Sequence, residues 1–65
     1  MNLRDWYLKT KSKDRVAAAK AAKTSEAYIW QLANGYRTAS VATARRVAQV
    51  TGVSEAVILG LETHV

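Results

Sequence analysis

The sequence predicts an all-α fold, a compact domain of five short helices, and three observations carry that expectation. Apolar residues recur at i, i+3 and i+4 rather than in strict alternation, so the period is that of a helix and no strand pattern competes. Serine, threonine or asparagine precedes four of the periodic stretches, and the three glycines of the chain follow three of them. There is no proline to interrupt a helix.

The elements follow in order. The first helix is expected over residues 3–9, with Asn2 as N-cap and Leu3, Trp6 and Tyr7 on one face. The polar "TKSKD" breaks it. A second, alanine-rich helix is expected over about 14–22, with Val16, Ala19 and either Ala22 or Lys23 inward; alanine favours helix and permits close packing. The third begins near Ser25, where Thr24 or Ser25 caps it and Glu26 suits the positive end of the helix dipole. Its inner stripe is Ser25, Ile29 and Leu32, and Gly35 ends it. The fourth is expected over 41–50, capped by Ser40, with Ala44, Val47 and Ala48 inward and Gly52 beyond its end. The fifth covers 54–59, with Val57 and Ile58 inward and Gly60 as the stop.

At 65 residues the chain is expected to form a single domain, with little room for a deep catalytic cleft. It has no cysteine, so a disulfide framework and thiolate metal sites are excluded. No apolar run approaches the roughly 20 residues of a membrane span, and the charged N-terminus does not resemble a secretion signal, so a cytoplasmic protein with no membrane partner is expected. The five acids are scattered, the one histidine (His64) lies next to the C-terminus, and no glycine-rich phosphate loop occurs. An enzyme is therefore not expected, and neither a cofactor nor a metal is implied. The net charge is +5, and it is uneven: residues 1–24 carry seven basic and two acidic groups, whereas residues 25–65 carry three of each. A basic domain of this size favours a polyanionic partner. Only "LRDWYLKTKSK" approaches a membrane-surface helix, and Asp5 interrupts it.

The second and third helices are separated by two or three residues, the spacing of a helix–turn–helix over about 14–34. Ala19, then "KTSEAYIWQLANG", then "VAQVTGVSEAVILG" resemble the lambda-repressor-like helix–turn–helix family, whose members include the Cro-type regulators of temperate phages. The resemblance spans about residues 14–60. Ala19 stands at the family's small residue, Ile29 and Leu32 at two apolar positions of its recognition helix, and Asn34-Gly35 at its helix end. The family's turn usually carries Gly-Val where this chain has Lys23-Thr24. Ala33 stands where an acidic residue often pairs with the first helix, so that ion pair is not expected. The family's usual Gln at the start of the second helix is replaced by Lys13, Asp14 and Arg15.

The resemblance implies a transcriptional regulator, a Cro-like phage or prophage repressor, that binds double-stranded operator DNA as a homodimer in the cytoplasm of a bacterial host. It places Ser25, Glu26, Ala27 and Gln31 at positions that meet base edges. Their chemistry suits that role: Gln bonds adenine bidentately, Glu accepts from cytosine N4, and Ala meets a thymine methyl. With Ile29 and Leu32 inward, Ala27, Gln31 and Asn34 point outward, with Trp30 on one flank and Tyr28 on the other. Trp30 is expected to pack at the outer edge of the core. Backbone contacts are expected from Tyr28, from Tyr36, Arg37, Thr38 and Ser40 after the helix, and from Lys13 and Arg15 before it. Arg45 and Arg46 are expected on a solvated face. Val57, Leu61 and the tail "ETHV" are candidate dimer contacts. An antitoxin-type or host regulator of the same fold, or a basic protein-interaction module, is the alternative.

Overall fold

Residues 1–60 are described in a computed structural model of the chain. Five helices follow one another: α1 (Leu3–Lys9), α2 (Ser12–Ala21), α3 (Glu26–Ala33), α4 (Val41–Thr51) and α5 (Glu55–Ile58). No strand occurs among the described residues. The radius of gyration, 10.3 Å, is what a chain of this length reaches when packed, about 10–11 Å.

Local chemistry accounts for most helix ends. Asn2 and Asp5 form a reciprocal capping box at α1. The hydroxyls of Ser25, Ser40 and Ser54 accept the backbone N–H groups of Tyr28, Thr43 and Val57, so α3, α4 and α5 are all side-chain capped. The N-cap of α2 is Lys11, which makes no such bond. That helix starts at Ser12, two residues earlier than the sequence suggests, because Ser12 and Lys13 extend it without needing a buried face.

The core is a single cluster of Leu3, Trp6, Ala19, Ala22, Ile29, Val47 and Val53, with Tyr7, Leu32, Val57 and Ile58 half-buried around it. α1 packs on α3, α2 packs on α3 and α4, and α5 packs on α4. Ala19 and Ala22 let α2 approach its neighbours closely. Val16, expected inward, is 46% exposed. The alanines at 19 and 22 occupy the inner face of α2, and the larger side chain one turn earlier lies outside the contact. No helix among the described residues is long and apolar enough to cross a membrane. Leu61, His64 and the rest of "LETHV" lie outside the described residues.

Candidate functional site

The outer side of α3 and the segment that follows it form the most distinctive surface. α2 ends at its C-cap Ala22 and α3 starts at Glu26, so three residues turn the chain between them. The turn is closed by two backbone bonds: Lys23 N–H donates to Lys20 O at 3.0 Å and Thr24 N–H to Ala19 O at 2.9 Å. Lys23 takes a left-handed conformation, φ 59°, the conformation for which glycine is preferred after a helix. The end of α3 repeats this geometry with Gly35 at φ 78°: Gly35 N–H donates to Leu32 O at 3.3 Å and Tyr36 N–H to Gln31 O at 2.9 Å.

Of the candidate base-reading residues, Ala27 and Ser25 are exposed and Gln31 is half-buried on the outer face. The Ser25 hydroxyl also accepts from Tyr28 N–H at 3.1 Å. Glu26 is half-buried and engaged. Its Oε2 accepts from Arg15 Nε at 2.9 Å. The same guanidinium donates through Nη1 to Tyr7 O at 3.1 Å and Thr10 O at 2.6 Å, and lies 4.3 Å from the centre of the Tyr7 ring. Arg15 therefore ties the end of α1 and the start of α3 to α2. The hydrogen bond that Arg15 donates to the Glu26 carboxylate raises the arginine's pKa above its ordinary value. Arg15, expected at a phosphate, thus spends two of its nitrogens inside the fold; Glu26 keeps Oε1 outside that pair.

Around α3 the aromatic residues are paired rather than buried. Trp30 is 43% exposed, and its ring stacks on Tyr36 with centroids 5.5 Å apart and planes 23° apart. Trp30, expected to pack at the outer edge of the core, stacks outside it, whereas Trp6, on the apolar face of α1, is 9% exposed and fills the core. On the other flank the Arg37 guanidinium lies 6.0 Å from the centre of the half-buried Tyr28 ring. Gly35, Tyr36, Arg37 and Thr38 line an open depression. Asn34 donates from Nδ2 to Trp30 O at 2.9 Å.

Ser40 lies beyond that depression, where its hydroxyl caps α4 and donates to Thr43 Oγ1 at 3.0 Å. Arg46 donates to that same Thr43 oxygen at 3.2 Å and, through Nε, to Ala22 O at 3.1 Å. Arg46 is thus half-buried and holds α4 to the end of α2; its expected place on a solvated face is corrected. Arg45 is exposed and pairs with Glu55 at 2.9 Å. The sequence carries no signal for the role of Arg46, because its partner is a backbone carbonyl 24 residues away. Lys13 is exposed in the first turn of α2, beside the N-terminus that lacks a side-chain cap.

No protein-family model, curated protein or solved structure matches this chain.

Proposed function

We propose that the chain is a sequence-specific binder of double-stranded DNA, a helix–turn–helix transcriptional regulator of the lambda-repressor-like, Cro type that represses by covering promoter DNA. The observation that carries this reading is the outer face of α3. Ala27 is exposed and Gln31 half-buried on the outer side of the helix, and the polar stretch 36–40 with Arg37 follows it after Gly35. An α-helix such as α3 is about 10–12 Å across with its side chains, which a major groove about 12 Å wide admits. In this reading Gln31 reads a base edge, Ala27 meets a thymine methyl, and Ser25 and the outer oxygen of Glu26 lie at the entering end. Tyr28, Tyr36, Arg37 and Thr38 hold phosphates along the two flanks of the reading helix, and Lys13 with the first-turn amides of α2 adds a further phosphate contact. Arg15 acts through Glu26 and α1, and Ser40 through the capping of α4, so both position the surface.

In this reading the chain binds as a homodimer on a two-fold operator, with the two α3 helices about 34 Å apart, one turn of the duplex.

Selection from a random pool of duplexes at two salt concentrations tests the proposal. Enrichment of a palindrome with half-sites about one turn apart is expected. Strongly salt-dependent binding with no enriched motif would leave only the positive charge at work and would overturn the reading.

A further inference from the structure

Trp30 neither fills the core nor lies on the base-facing side of α3, and the geometry around it points to a role. We infer that α3 carries two aromatic flanks that meet opposite strands of a bound duplex: Trp30 stacked on Tyr36 against one sugar–phosphate strand, and Tyr28 with Arg37 against the other. This inference rests on the duplex-DNA reading and deepens it.

Each residue turns a helix by about 100°, so Tyr28 and Trp30 lie about 100° to either side of the buried Ile29. They bracket the outward face that holds Ala27 and Gln31. After Gly35 ends the helix, two consecutive residues diverge. Tyr36 turns to the Trp30 side, with ring centroids 5.5 Å apart, and Arg37 turns to the Tyr28 side, 6.0 Å from that ring. The outer face is therefore framed by one aromatic-bearing pair on each flank. A helix seated in a groove about 12 Å wide turns its outward face to the bases and its two flanks to the two backbones.

The chemistry of each flank fits a backbone. Stacking holds the Trp30 and Tyr36 rings against each other, so they present apolar faces to deoxyribose at little entropic cost, and the Tyr36 phenol and the Trp30 indole N–H are donors for phosphate oxygens. Tyr36 is 71% exposed, so its outer ring face is open to such a contact. On the opposite flank Arg37 offers a guanidinium fork that matches a phosphate. The charge of the chain favours a polyanion over a second copy, because a facing copy would carry the same +5 and the same Arg37.

The two tryptophans make the test direct, because Trp6 is buried and Trp30 is exposed. Acrylamide quenching is read on the full chain with and without a duplex enriched by selection, and Trp30→Phe identifies which signal belongs to Trp30. That variant should melt like the parent protein, because Trp30 is not part of the core cluster. Binding should remove the accessibility of Trp30. Phosphate-ethylation interference should then show Tyr36→Ala losing contacts on one strand and Arg37→Ala losing them on the other. Continued accessibility of Trp30 in the complex, or loss on the same strand for both variants, would overturn the inference while leaving duplex recognition intact. Protection of Trp30 that grows with protein concentration in the absence of DNA would also overturn it, by making this flank a contact between copies. If no duplex is enriched at all, the regulator reading fails, and this inference with it.

Discussion

Lys23 sits in the left-handed region, φ 59°, with its side chain exposed and its N–H bonded to Lys20 O. A Cβ in that conformation is disfavoured and glycine is not. Lys23→Gly should therefore stabilise the protein by about 0.5–1 kcal/mol, seen as a higher urea midpoint at unchanged slope. Thr51 gives the opposite case. It is buried, its hydroxyl donates to Val47 O at 2.8 Å, and it accepts from Val53 N–H at 3.1 Å. Thr51→Val keeps the shape and leaves the Val53 N–H without its partner, which should cost about 1–3 kcal/mol in the same denaturation experiment. In a domain whose total stability is of the order of 5 kcal/mol, that loss is large.

At the scale of elements, two arginines fix how the helices meet. Arg15 joins the last turn of α1, the start of α2 and Glu26 at the start of α3. A double-mutant cycle with Arg15→Ala and Glu26→Ala should give a coupling energy of about 0.5–1 kcal/mol, because the pair is only partly buried. The single Arg15→Ala change should cost more than Glu26→Ala, since it also strips the Tyr7 and Thr10 carbonyls of a donor. Arg15 has its pKa raised, so this stabilisation is complete below the ordinary arginine value and is lost only as pH rises above it. Stability between neutral pH and mild alkali should show no titration from this pair's arginine. Arg46 plays the second role, joining Ala22 O to Thr43 and, through it, to Ser40. Arg46→Ala should destabilise by about 1–3 kcal/mol, since it removes a charged donor from a half-buried carbonyl; a thermal melt checks it.

At the scale of the molecule, a small core supports a surface on which Ala27, Trp30, Tyr36 and Arg37 are exposed among the described residues. The proposed division of labour along that surface makes two variants separable. Gln31→Ala should lower discrimination at one base position by about 1–3 kcal/mol with little change in non-specific affinity. Arg37→Ala should weaken binding to every sequence and reduce the salt slope of log K by about 1. Titration of an enriched duplex and a scrambled one at several salt concentrations reads both effects. Equal losses on both duplexes for Gln31→Ala would remove it from base reading.

Helix identity, caps and stops were legible in the chain because they depend on neighbours a few residues apart. Asn2, Ser25, Ser40 and Ser54 cap, and Gly35 and Gly52 stop, for reasons visible within one turn of sequence. The outward face of α3 followed from the same 3.6-residue period once Ile29 was placed inside. What the sequence could not settle were contacts between groups far apart in the chain. Nothing local distinguishes Arg46, bonded to a carbonyl 24 residues away, from the exposed Arg45 beside it. Nothing local decides that Trp30 stacks on Tyr36 instead of packing at the edge of the core, or that Val16 stays outside where Ala19 and Ala22 enter. Periodicity assigns a side chain to a face, but the distance to the next helix decides which size of side chain that face can bury, and only the tertiary structure sets that distance.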